Sequence, residues 1–236
     1  MTVFRTTCLL AIAALLGACA PTQTKQAPSV KPSGGFLGDY SKLHPGAPGE
    51  ALLLYRAEGL NLAPYTKMIL DRVEVWDDAR ARGEQLREDK QRLADLLYGT
   101  VLTRVRTYYV MTQTPGPDTI RLRIGLTEAQ ASSPTLDVLS MVGPVTGTIS
   151  KANEVATGTQ AFVGAASAEA EVLDTATGRV LLAAADRRVG QKAFTGSTGS
   201  WSDVQNGFIA WAERIVARLQ AEGGPRRPVP YWAQPR

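Results

Sequence analysis

Histidine and cysteine are nearly missing from this chain, with one His and two Cys in 236 residues. The one His, His44, lies in the stretch His44-Pro45-Gly46-Ala47-Pro48-Gly49 and reads as a surface residue in a loop. With so few imidazole and thiolate donors, neither a metal site nor a Ser-His or Cys-His nucleophile scheme is expected, and no cofactor is expected. Charge of one sign is scarce too: 26 basic and 22 acidic residues leave a formal +4. That bias is too weak to point to nucleic acid. The glycines between Gly143 and Gly164 are not followed by Gly-Lys-Ser/Thr, so no phosphate-binding loop is read there. What remains, 44% hydrophobic and 20% charged, is ordinary globular composition and excludes wholesale disorder, a coiled coil or a disulfide-stapled miniprotein.

The N-terminus carries an address. Arg5 precedes the apolar run Cys8 to Leu16, which at about nine residues is too short to span a bilayer and has the form of a secretory signal. The run ends in Leu16-Gly17-Ala18-Cys19, which resembles the lipobox of bacterial lipoproteins. The resemblance implies a signal peptide over 1–18 and acylation, palmitate included, of Cys19. The alternative is a plain secretory signal with an incidental Cys. Several acyl chains, each methylene contributing about 0.8 kcal/mol, anchor far more firmly than one. Ala20 rather than Asp after the Cys implies sorting to the periplasmic side of the outer membrane.

Downstream, residues 19–35 include APTQTKQAPSVKPSGG, rich in Pro and poor in large apolar residues, and are expected to form a flexible tether. A single domain is expected over 36–224 and a Pro/Arg-rich tail over 225–236. Within the domain, Ala51–Tyr55 and Lys67–Trp76 read as strands, the second with Arg72, Glu74 and Trp76 on one face. Leu86, Leu93, Leu96, Leu97, Val101, Leu102 and Val105 predict a helix from Glu84. Tyr108–Met111 and Thr119–Thr127 read as a hairpin turning at 115–118. Residues 166–173 and 179–189 form a second hairpin, with Gly178 at the turn. Residues 133–164 read as a long loop. Ser200-Trp201-Ser202-Asp203 forms a capping box for a last helix with Val204, Phe208, Ile209, Trp211, Ala212, Ile215, Val216 and Leu219 on its apolar face, stopped by Gly223-Gly224. The fold class is α+β: two layers, a mainly antiparallel sheet with helices packed on one face.

Three blocks resemble a known family. Gly35-Phe36-Leu37-Gly38-Asp39-Tyr40-Ser41-Lys42-Leu43, then Gly164 to Arg188 around Glu169-Ala170-Glu171, then the helix Trp201 to Leu219, are similar to the bacterial lipoproteins called domain of unknown function 3313 (DUF3313). The resemblance implies a membrane-anchored periplasmic lipoprotein and transfers no catalytic residue.

Candidate chemistry rests on carboxylates. Glu169 and Glu171, two apart on one strand, share a face at roughly 6 to 7 Å, a spacing that general acid and base pairs also use. Their structural reading is pairing across strands with Arg121 and Arg123. A polar cleft lined by Glu169, Glu171 or Asp186 would favour a hydrolase or a ligand-binding lipoprotein. In the tail, Arg226, Arg227, Tyr231 and Trp232 are candidate partner-binding residues; a disordered tail, or aromatics patching the domain's own surface, is the alternative. The leading expectation is a non-enzymatic envelope assembly or maintenance factor with an envelope protein as partner, its lipid in the membrane, and no nucleic acid. Cys19→Ala is expected to release the chain from the membrane fraction and to abolish palmitate labelling, measured by fractionation and metabolic labelling.

Overall fold

Alternation of Ile120, Leu122, Ile124 and Leu126 with Arg121 and Arg123 makes a two-faced strand, and the fold is built outward from it. The computed structural model describes residues 24–33, 35–76, 84–130, 165–190 and 202–235. Among these, nine strands form one sheet: β1 (Thr24–Gln26), β2 (His44–Pro45), β3 (Leu53–Arg56), β4 (Lys67–Leu70), β5 (Glu74–Val75), β6 (Val110–Met111), β7 (Thr119–Gln130), β8 (Ala165–Asp174) and β9 (Val180–Gly190). Two helices, α1 (Glu84–Val105) and α2 (Ser202–Ala221), accompany it. The order is β2-β3-β9-β8-β7-β4-β6, with β1 on β9 and β5 on β7. Pairing is antiparallel except where β4 meets β6 and β7 and where β5 meets β7. The α+β expectation therefore holds.

Both helices cover one face. Leu93, Leu97, Val101 and Val105 of α1 and Phe208, Trp211, Ala212 and Leu219 of α2 pack on Leu122, Ile124, Val172 and Leu182 in a single core. Steps of three and four aim these residues at the sheet, whereas Leu96 and Ile209 fall off the seam and stay exposed. Gly223 ends α2 at φ +93, its N–H bonding Gln220 O while Gly224 N–H bonds Leu219 O, the paired bonds of a Schellman motif. Gly178, at φ +73, closes the β8–β9 turn, where Asp174 Oδ1 accepts the Ala176 and Thr177 N–H groups.

Three expectations are corrected. β6 does not form a hairpin with β7, because β4 lies between them and parallel to both. The helical crossover α1 carries the chain back so that β6 enters alongside β4 in the same direction. The run 67–76 is two strands: Leu70 pairs with Leu122 but Glu74 with Gly125, so one extra residue breaks the period. Arg72 thereby turns to the helix layer, over the Tyr98 ring of α1, while Glu74 and Trp76 face the opposite side against Arg123 and Phe36. The stretch expected to be a free tether is bound over its described part: β1 pairs with β9 through Thr24↔Gly190 and Gln26↔Arg188, and Ala27 is buried. The edge of β9 beyond β3 offers unpaired backbone groups, and β1 takes them. The signal with Cys19, the loop over 133–164 and the side chains of the capping box lie outside the described residues.

One close contact has an energetic consequence. Tyr109 is buried with a hydroxyl that has no hydrogen-bond partner among the described residues, and burial pushes its ionisation well above the usual tyrosine range. That hydroxyl sits where a methyl at 224 would come within 2.5 Å of it and 2.6 Å of Leu219 O. Gly224→Ala is expected to cost about 1–3 kcal/mol by overpacking. Tyr109→Phe should leave stability unchanged or raise it, since an orphaned buried hydroxyl is removed. Chemical denaturation of both variants checks the opposite signs.

Candidate functional site

The face of the sheet opposite the helices carries the charge. Arg123, Gly125 and Glu128 of β7 stand beside Glu171, Glu169 and Ser167 of β8, with Arg187 of β9 next to Ser167. Arg123 Nη1 donates to Glu171 Oε1 at 2.5 Å, and its Nη2 lies 3.3 Å from Glu74 Oε1. Arg187 holds Glu128 at 2.8 Å, joined by Ser167 Oγ at 2.6 Å. Burial raises the Glu128 carboxyl, but the bonds from Arg187 and Ser167 outweigh it and hold the group below the ordinary glutamate range. This contribution to stability is therefore complete above about pH 4.3 and is lost as acid titrates the folded form.

Glu169 is different. It is 1% exposed and no cation bonds it among the described residues; its donors come from the N-terminal segment. Ser33 N–H reaches Oε1 at 2.5 Å, and Ser33 Oγ and the Tyr40 hydroxyl reach Oε2 at 3.0 and 2.6 Å. The Tyr40 oxygen in turn accepts the N–H groups of Gly35 and Leu37 at 3.0 and 3.1 Å. Phe36 lies flat enough on β7 that a methyl at Gly125 would meet its ring at 2.7 Å, and Trp76 meets the ring edge-on at 5.9 Å. Glu169 and Glu171 do share a face, as expected. Of the expected arginine pairs, Arg123 engages Glu171, whereas Arg121 turns to Asp71 at 3.6 Å. Glu169 lies beneath Ser33 and Tyr40 rather than in an open cleft, and Glu171, also buried, is closed by Arg123.

The helix side holds a cavity of about 280 Å³ between α2 and the sheet. Its floor is Ala168, Ala170 and Ala184, its walls include Leu122, Ile124, Trp211 and Ile215, and its mouth is ringed by Glu50, Asp186, Arg214 and Arg218. Asp186 is fully bonded: Gln26 Nε2 at 2.5 Å and Leu52 N–H at 3.2 Å on one oxygen, Trp211 Nε1 at 2.8 Å and Arg214 Nη1 at 2.9 Å on the other. Arg218 bonds Glu50 and, at 2.8 Å, Glu222, which also takes Arg56 at 2.7 Å. These three acids and three arginines pair with one another, and Arg188 lies close enough to Arg214 and Asp186 to feel both charges.

The tail is ordered over its described part. Val229 N–H bonds Thr107 O at 2.8 Å; Gln234 donates to Arg106 O and Tyr109 O and accepts Met111 N–H at 3.1 Å. Between these pins a 3-10 turn, Tyr231–Ala233, holds out Tyr231 at 90% and Trp232 at 79% exposure.

A sequence profile for a family described as protein of unknown function (DUF3313) matches residues 32–215. The chain belongs to the DUF3313 family. No curated protein matches it. Among solved structures, the PelC dodecamer from Paraburkholderia phytofirmans is similar at 12% identity, over 74% of this chain and 98% of that one, with a TM-score of 0.40. A variant of the same dodecamer gives 12%, 68%, 93% and 0.38. A protein of Xanthomonas campestris from family DUF330 gives 7% identity, 71% and 91% coverage, and a TM-score of 0.41.

In this DUF3313 chain the sequence-expected residues separate. Tyr231 and Trp232 are displayed together; Arg226 Nη2 caps Gln220 O at 3.3 Å, behind them in the chain, and Arg227 lies beside it. Cys19 lies outside the described residues. The alanine floor, and Ser33 and Tyr40 as donors to Glu169, were not anticipated. An Ala-x-Ala step on β8 opposite Ala-x-Asp on β9 was the available signal for the floor. Tyr40→Phe removes one donor from Glu169 and the acceptor of two backbone N–H groups, and is expected to cost about 1–3 kcal/mol. Amide exchange at Ser33 and Leu37 should accelerate more than exchange along β8, while Tyr55→Phe in the same apolar cluster should not produce that pattern.

Proposed function

We propose that this chain is a lipid-anchored protein on the periplasmic side of the outer membrane that serves envelope assembly or maintenance by holding a protein partner at Tyr231 and Trp232. The observation that supports it is the display of two nearly fully exposed aromatic rings on a turn pinned by Val229 and Gln234. Rigid, exposed aromatics of this kind are enriched as binding anchors, because their burial returns much free energy at little cost in side-chain entropy.

The position of the rings favours a protein over the membrane in which the lipid sits. β1 begins at Thr24, five residues after Cys19, a span of at most about 18 Å. Thr24 pairs with Gly190 at the end of the sheet where Gln130 meets Ala165. Gln234 is bound next to Lys67 and Thr119, at the other end of β7. Twelve strand residues separate these ends by roughly 36 Å. A chain standing on its anchor thus presents the rings away from its own bilayer.

A second reading, a ligand-binding lipoprotein, is favoured by the cavity under α2. For the leading reading, a photo-crosslinker at position 232 in intact cells is expected to give a discrete protein adduct, absent when the crosslinker is at Ala176. Tyr231→Ala together with Trp232→Ala should reduce partner capture by more than tenfold with the melting temperature unchanged. Absence of any adduct would refute the reading.

A further inference from the structure

The cavity under α2 is built rather than left over from packing. Register sets Ala170 opposite Ala184 and Ala168 opposite Asp186 on adjacent strands, so three small side chains lie together where the next row carries Leu122, Val172 and Leu182. Trp211 and Leu219 prop α2 above this floor within the main core, and the space between remains open to about 280 Å³. At roughly 30 Å³ per water-sized group that is room for about nine of them, and α2 runs about 15 Å from Trp211 to Ala221 along it. The walls are apolar, so an interior of this kind does not hold ordered water well. Among the described lining residues the charged groups stand at the mouth, where Asp186 and Glu50 are matched by Arg214 and Arg218.

We propose that the cavity under α2 binds a single unbranched aliphatic chain of about ten carbons, or that length of a longer one, with an oxygen-bearing head at the Arg218 end. Wall chemistry dictates the tail, and the charged ring of Glu50, Asp186, Arg214 and Arg218 dictates a polar, oxygen-bearing head at the mouth. The four charges of the lining balance, so an alcohol and a carboxylate are expected to bind alike. The proposal rests on the ligand-binding reading and is independent of the partner reading: substitutions at Tyr231 and Trp232 leave it untouched. The chain could be supplied by the protein's own acylated Cys19, since Gln26 of β1 bonds Asp186 at the mouth, or by a lipid from elsewhere; the chemistry is the same.

The test uses the full chain carrying Cys19→Ala, so that no acyl group of its own is present, titrated with 12-bromododecanoate and with 12-bromododecan-1-ol as tryptophan quenchers. The expected result is saturable quenching at one equivalent for both heads, with affinities within a few-fold. Ala170→Leu and Ala184→Leu, each filling the floor, should weaken binding at least tenfold with the melting temperature equal or higher. Trp211→Phe keeps the space and should lose most of the quenching. Unsaturable quenching, undiminished affinity in folded leucine variants, or quenching that persists in Trp211→Phe overturns the proposal. The acylated wild-type chain then identifies the source: refusal of the added quencher means the cavity is filled by the protein's own lipid, and equal binding means the lipid comes from elsewhere.

Discussion

A carboxylate that is 1% exposed must be satisfied by donors, and Glu169 has them only when Ser33 and Tyr40 fold back over the sheet. An unsatisfied buried carboxylate would cost several kcal/mol, enough to unfold a domain of ordinary stability. The Glu169–Tyr40 bond therefore commits the N-terminal segment to the sheet, and further features follow. Tyr40 gathers the Gly35 and Leu37 N–H groups, Phe36 settles onto Gly125, and Arg123 lies over the Phe36 ring at 5.2 Å while bonding Glu171. The sheet becomes covered on both sides: helices on one, a peptide strap with an ionic layer on the other.

Local chemistry made much of this readable from sequence. The period of three and four over 93–105 and 208–219 is enforced by each helix itself, as is the stop at Gly223. The β8–β9 hairpin was legible because its turn chemistry, Asp174 capping and Gly178 at positive φ, lies within five residues. Strand partners beyond a turn were not. Nothing near Tyr108–Met111 says that β4, forty residues earlier, will insert beside it, and only the crossover through α1 makes that pairing possible. Pro-rich composition at 20–35 suggested a free tether because it counts what the segment can bury by itself. It cannot count the hydrogen bonds that a half-empty edge of β9 and a buried Glu169 offer to it.

The same limit governs the candidate site. Glu169 and Glu171 were recognised as a same-face pair, since period two fixes that much. Their fates differ for reasons set by distant residues: Glu171 meets an arginine directly across the ladder, whereas Glu169 faces Gly125 and so leaves space for Phe36 and Ser33 to reach it. Arg121 was expected in this layer's pairing and instead serves Asp71, the residue that begins the break between β4 and β5. Tyr231 and Trp232 were singled out by composition alone; that they are held rather than loose depends on Gln234, whose one side chain ties three backbone groups of the α1–β6 connection.

Alanines at 168, 170 and 184 require an explanation in terms of energy. An enclosed void costs about 24 cal/mol per Å³; this space opens at its mouth, so its cost is smaller, but its apolar walls still forgo the contacts that filling would give. Leucine at any one of these positions would recover part of that, and β-strand propensity would favour a larger side chain as well. The next row carries Leu122, Val172 and Leu182, so the backbone tolerates bulk one step away. The arrangement is consistent with a fold whose core is completed by something other than its own side chains. At the mouth, Arg214 ties α2 to Asp186 of β9 and Arg218 ties it to Glu50, before β3. An aliphatic chain entering there would recover the contacts the alanines forgo, and would do so without disturbing a single ion pair at the rim.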